Sequence, residues 1–150
     1  MRGERRVPYR NFHTGYKQTA LAPDELIRDI SMPRCFSEYI SHARKVGARN
    51  AQAISKVCLA ALGRLVDGVV RDVRIALGSV APIPLRLGET ERVLLGKKIE
   101  AGLIEAARKS VAREIQPIDD IRSTARYRTA VAGNLVAEFL GKLAAEGTNA

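Results

Sequence analysis

Two apolar runs, Ala53–Val66 and Val69–Leu77, meet at the dipeptide Asp67-Gly68. No other feature constrains the fold of this chain as strongly. Asp-Gly between apolar runs signals a two-residue β-hairpin, because the tight turn needs positive φ, which Gly accepts without steric cost. In the second run Val69, Arg71, Val73, Ile75 and Leu77 share one face, while Val70, Asp72, Arg74 and Ala76 share the other. Such period-two patterning predicts a strand with one buried and one wet side. Upstream, Phe36–Ala43 reads as a strand leading into Arg44-Lys45-Val46-Gly47, and Gly78 with Pro82-Ile83-Pro84 is expected to end the sheet.

After Gly88 the period lengthens. Thr90 is placed to cap a short helix, Glu91–Leu95, that Gly96 stops. Ile99, Leu103, Ala107, Val111 and Ile115 recur every four residues and predict a helix with one apolar stripe, ended by Pro117. Asp119 or Asp120 supplies a cap for the next helix, on which Tyr127, Val131, Leu135, Phe139 and Leu143 keep the same stride. Strands come first and helices second. The expected class is therefore α+β, an antiparallel sheet of three to four strands with about three helices on one face.

Composition narrows the function. The 150 residues suit one ordinary domain, and 46% apolar with 27% charged side chains is a globular mix. No apolar run approaches the roughly 18 residues of a membrane span. Met1–Pro8 carries charges with no apolar stretch behind them, so no signal peptide is read and a cytoplasmic protein is expected. Cys35 and Cys58 are expected to be separate thiols, Cys58 a buried, inert one. His13 and His42 stand at no metal-ligand spacing from them, so no metal site is expected. Ser123, His13 and Cys58 form no recognisable catalytic triad. The net charge of +9 admits nucleic acid, an anionic cofactor or an acidic partner. Residues 1–56 hold 11 basic and 5 acidic side chains, yet no block of like charge. With no Trp and 5% aromatics there is little to stack on bases, and nucleic acid is the weakest of the three. Residues 1–33, punctuated by Pro8, Gly15, Pro23 and Pro33, have too few apolar side chains for a core of their own.

Four separated strings agree in order and spacing with one known family. They are Val7-Pro8 and Phe12 followed by Gly15-Tyr16-Lys17-Gln18-Thr19-Ala20-Leu21-Ala22-Pro23-Asp24-Glu25-Leu26-Ile27 and Ile30-Ser31-Met32-Pro33; Arg44-Lys45-Val46-Gly47-Ala48-Arg49-Asn50-Ala51-Gln52-Ala53-Ile54-Ser55-Lys56-Val57; Gly78-Ser79-Val80-Ala81-Pro82-Ile83-Pro84 with Thr90-Glu91; and Pro117-Ile118-Asp119-Asp120-Ile121-Arg122-Ser123-Thr124-Ala125-Arg126-Tyr127-Arg128. The chain resembles the FAD-binding (medium) subunit of the xanthine dehydrogenase and aerobic carbon monoxide dehydrogenase family of molybdenum hydroxylases. The resemblance implies that 1–33 is the tail of an FAD-binding domain and that 34–150 is the C-terminal flavoprotein domain. It also implies an oxidoreductase role, with electrons passing from iron–sulfur clusters through FAD to an acceptor. Molybdopterin would sit on a large partner subunit and the clusters on a small one. A homodimer is compatible with it, and a membrane or nucleic-acid partner is not implied.

The same resemblance assigns two cofactor-binding residues. Lys45 matches a lysine at the isoalloxazine ring, where a cation stabilises the negative charge that reduction brings to the ring. Ile27 matches an aliphatic position against the flavin. No catalytic residue is assigned. The family's loop after Lys45 lies beside the flavin and often carries acidic residues; Asn50-Ala51-Gln52 has none, which counts against NAD as acceptor. The Gly-rich loop that would hold the FAD pyrophosphate is absent, since Gly15 and Gly47 stand alone. Weak or no FAD binding is therefore expected of this chain by itself. Two other readings compete: a non-catalytic module for subunit assembly, and a small basic nucleic-acid-binding protein.

Overall fold

A computed structural model describes residues 3–49 and 52–147. Its main sheet has four antiparallel strands in the order β3 (Ile40–Val46), β4 (Val57–Val66), β5 (Val69–Gly78) and β6 (Leu85–Arg86). The hairpin forms where the Asp-Gly signal lies, with φ of +53° at Asp67 and +72° at Gly68, the doubly positive pair of a type I′ turn. A smaller hairpin, β1 (His13–Gly15) with β2 (Gln18–Thr19), lies in the N-terminal segment after a 3₁₀ turn at Tyr9–Asn11.

Alternation decides which side of the main sheet is covered. Val57, Leu59 and Ala61 of β4 and Val73, Ile75 and Leu77 of β5 are buried. Helices α1 (Gly88–Leu94), α2 (Ala101–Glu114) and α3 (Ala125–Gly147) lie over them. The expected stripes supply the facing surface, with Ala107, Val111 and Ile115 from the α2 region and Leu135, Phe139 and Leu143 from α3. Each large side chain sealed there stabilises the fold by about 1.5–3 kcal/mol. The class is the expected α+β arrangement, with all three helices on one face.

Four local expectations change. The alternation in β5 does not run through to the hairpin. Arg64 pairs with Asp72 and Leu65 with Val70, so Arg71 has no partner. This bulge inverts the phase and sends Val70, not Val69, into the core at 0% exposure. Phe36–Tyr39 is a turn rather than the start of a strand. Its Tyr39 N–H bonds Phe36 O at 3.2 Å, and the two rings meet edge to face. The strand instead runs through Arg44 and Lys45. The sheet does not stop at Pro84, because Leu85–Arg86 adds β6 beside Ala76 and Leu77. Finally, α1 starts at Gly88, and Thr90 lies inside it. Its first turn is capped from another helix: the Glu114 carboxylate accepts the N–H groups of Glu89 and Thr90 at 3.0 Å each and the Thr90 hydroxyl at 2.9 Å. Gly96, at φ +73°, follows its end as expected.

Candidate functional site

The face of the main sheet opposite the helices has small side chains at its centre, Ala43, Ala60, Ala76 and Gly78, with Leu62, Arg74, Arg86 and Lys45 around them. Across the strands run the rows Ser41–Leu62–Arg74, Ala43–Ala60–Ala76–Arg86 and Lys45–Cys58–Gly78. The first two rows line a shallow depression of about 490 Å³. Lys45 stands at the next row, on the edge strand, exposed. It forms no ion pair or side-chain hydrogen bond among the described residues. Its charge is therefore available to an anionic or electron-rich group laid on this face.

Cys58 is not the core thiol that its apolar run suggested. Val57 and Leu59 take the core side, which leaves Cys58 half-buried on the open face beside Lys45. Gly78 makes room for it, because a Cβ there would stand 2.6 Å from the Cys58 Sγ. Ile27 lies in the irregular segment after β2 with 51% of its surface exposed. It is not held by the sheet that carries Lys45, and Leu26, Ile30 and Met32 around it are more exposed still, at 77–82%. The ion pairs Arg5–Glu25 and Arg28–Glu4 and the β1–β2 pairing run within this segment. Of the loop after Lys45, Asn50 and Ala51 lie outside the described residues.

Beneath the Lys45 end of the sheet is a cluster that sequence reasoning did not find. Lys56 N–H donates to Val46 O at 2.7 Å, closing the loop that joins β3 to β4. Ser55 and Ser79 hydroxyls meet at 3.1 Å. The Arg128 guanidinium, its side chain only 5% exposed, donates through Nη1 to Lys56 O at 3.0 Å and Ser79 O at 2.8 Å. Its Nη2 stands 2.7 Å from Asp120 Oδ1, an ion pair at close range rather than an aligned hydrogen bond. Arg128 was visible only as part of a motif, and nothing in its spacing marks it as buried.

Of the two carboxylates expected to cap α3, Asp119 reaches the first N–H of the helix, whereas Asp120 closes the turn that precedes it. Asp119 Oδ1 accepts Ala125 N–H, and Asp120 Oδ1 accepts the N–H groups of Arg122 and Ser123 at 2.8 and 2.9 Å. Thr124 adds its hydroxyl to Tyr127 N–H at 3.2 Å. At the far end of the open face Tyr39 donates to Asp72 Oδ2 at 2.6 Å, and Arg74 covers the Phe36 ring at 4.6 Å from its centroid. These contacts tie residues 36–39 to the sheet. Among the described residues no cluster of His, Cys, Asp or Glu could hold a metal ion, and no helix is long and apolar enough to cross a membrane.

Residues 42–143, from the middle of β3 to the last turns of α3, match the family of the CO dehydrogenase flavoprotein C-terminal domain. The chain belongs to that family. Among curated proteins it is 31% identical to the xanthine dehydrogenase FAD-binding subunit of Escherichia coli O157:H7 over 128 residues, which is 85% of this chain and 44% of that one. It is 31% identical to the carbon monoxide dehydrogenase medium chain of Hydrogenophaga pseudoflava over 138 residues, 92% of this chain and 48% of that one. Among solved structures, the carbon monoxide dehydrogenase of Hydrogenophaga pseudoflava lacking the Mo-pyranopterin moiety aligns with a TM-score of 0.82 at 30% identity, over 88% of this chain and 46% of that one. The chain thus spans about half the length of the curated relatives it matches. As a CO dehydrogenase flavoprotein C-terminal domain, it has its open sheet face and Lys45 within the matched range.

Proposed function

We propose that this chain forms the C-terminal portion of an FAD-binding medium subunit in a xanthine dehydrogenase-like molybdenum hydroxylase. In that assembly electrons pass from iron–sulfur clusters through FAD to an acceptor. Molybdopterin belongs to the large subunit and the clusters to the small one. The observation that carries the reading is Lys45, a cation unpaired among the described residues, beside the small side chains at the centre of the open sheet face and inside the family-matched region.

The residues present fit one end of FAD and not the other. A flat face of Ala43, Ala60, Ala76 and Gly78 beside an ammonium group can accept a planar ring and favour negative charge at its edge. The sequence has no Gly-rich loop of the kind that supplies the converging backbone amides a pyrophosphate requires. FAD supplies the redox chemistry when bound; this chain's part is to shield the ring and set the charge at its edge. Ile27 is proposed to add an aliphatic contact, and residues 1–33 to be the tail of the FAD-binding domain.

A second reading, a subunit-assembly module, rests on Leu26, Ile30 and Met32, apolar side chains more than three-quarters exposed. A partner polypeptide covering them is compatible with the first reading and is part of it. The test is to purify the tagged chain from the cells that make it. Flavin absorbance, iron and molybdenum in fixed ratio to the chain support the proposal. A chain that purifies free of all three, while a molybdenum hydroxylase of the same cells remains fully active, overturns it.

A further inference from the structure

The Arg128 cluster lies directly under the strand ends that carry Lys45. β4 begins at Val57 and β5 ends at Gly78, so Lys56 and Ser79 are the first residues beyond the two strands at the end where the β4–β5 ladder stops with Cys58–Gly78. Arg128 Nη1 donates to the carbonyls of both flanking residues. Lys56 in turn bonds Val46, the residue after Lys45, and the Ser55–Ser79 contact joins the same two ends a second time. Ser79 sits at φ +66°, a left-handed conformation that its surroundings must hold. The Lys56 ammonium lies 5.3 Å from the centroid of Tyr127, the neighbour of Arg128 on α3.

Stability alone is a poor reason for this arrangement. A buried ion pair seldom outperforms a well-packed apolar side chain, because the cost of desolvating both charges is large. What a guanidinium does here, and an apolar group cannot, is to fix two carbonyls from separate strand ends in one plane while Asp120 orients it from the turn before α3.

We propose that Arg128 is a positioning residue. Anchored by Asp120, it holds the end of the sheet so that Lys45 and the foot of the loop after it keep one fixed place on the open face. The consequence for a flavin rests on the function proposed above; the fastening itself does not.

The first test uses the chain itself and reads amide hydrogen exchange. Arg128→Met removes the donors, and Arg128→Lys keeps a charge but cannot serve both carbonyls and Asp120. The Lys56 amide, bonded to Val46 O, is expected to exchange about tenfold faster or more in Arg128→Met, beyond any change common to the β4–β5 ladder. Arg128→Lys is expected to fall between that variant and the parent. If Arg128→Met does not fold, Arg128→Lys and Asp120→Asn carry the same measurement. A Lys56 amide that changes no more than the ladder overturns the proposal. The second test is the flavin reduction potential in the assembled, FAD-loaded enzyme. Arg128→Lys should shift it in the direction of Lys45→Met and add nothing in the Lys45→Met background. If Lys45→Met itself has no effect while Lys56 exchange still responds, the fastening stands and the flavin reading falls.

Discussion

Gly63 shows how much one missing side chain can decide. A Cβ at this position would stand 2.6 Å from Leu143 Cδ2 and 3.1 Å from Phe139 Cζ, so α3 lies on β4 only because position 63 is empty. Gly63→Val is expected to lower stability by about 1–3 kcal/mol through overpacking, read as a fall in the urea midpoint. Nothing in Ala53–Val66 marked this glycine, since the contact is made 76 residues later in the chain at Phe139. Asp120 carries a second prediction. The Arg122 backbone N–H does most to hold its carboxyl below the usual range. Partial burial opposes that, and the Arg128 guanidinium and Ser123 N–H reinforce it. A carboxyl lowered on folding contributes stability that is fully present above its unfolded value of about 3.9 and is lost as pH falls through the folded one. Stability followed by urea unfolding should therefore decline on acidification below about pH 4, and Asp120→Asn should flatten that part of the profile. A cap was legible from two aspartates before a helical stripe, and Asp119 supplies it, while Asp120 serves the turn before the helix. The buried arginine behind it was not, because a lone Arg in a motif looks the same whether solvated or sealed.

At the scale of elements, period and turn chemistry were good guides to which segments form and poor guides to how they are closed. The hairpin at Asp67-Gly68 followed from its turn residues and the α2 stripe from spacing, as did Leu135, Phe139 and Leu143 of α3, but Tyr127, expected at the head of that stripe, is 43% exposed and Arg128 is buried next to it. The phase of β5 near the turn did not, because the bulge at Arg71 has no sequence signature of its own and exchanges the roles of Val69 and Val70. The cap of α1 was assigned to Thr90 on local grounds, whereas the acceptor is Glu114, brought from the end of α2 by the packing of the two helices. Glu114→Ala leaves the Glu89 and Thr90 N–H groups and the Thr90 hydroxyl without this acceptor. It should cost about 1–2 kcal/mol in urea unfolding, while Thr90→Val, which spares both backbone donors, should cost less. Equal effects would return the cap to Thr90. The Glu91 carboxylate makes a comparable long-range closure, accepting Ile75 N–H at 2.8 Å and the Arg86 guanidinium at 2.9–3.1 Å.

For the whole molecule, four motifs in order led to the family, and the match over residues 42–143 shows it. The open sheet face was less legible, because small residues such as Ala43, Ala60 and Ala76 read as filler until the strands are laid side by side. The chain by itself should not retain FAD: purified and desalted, it should show far less than one equivalent of flavin absorbance, since ring contacts alone cannot replace a pyrophosphate cradle. The central claim is that Lys45 sets the charge at a flavin's edge. Lys45→Met removes the charge and keeps most of the stem; Lys45 is exposed, so the fold should change by no more than about 0.5 kcal/mol. The decisive measurement is the flavin reduction potential of the assembled, FAD-loaded enzyme with and without this substitution. The account predicts a lower potential and slower electron delivery to the acceptor in Lys45→Met. A potential unchanged within error would contradict it and leave Lys45 an ordinary solvated charge.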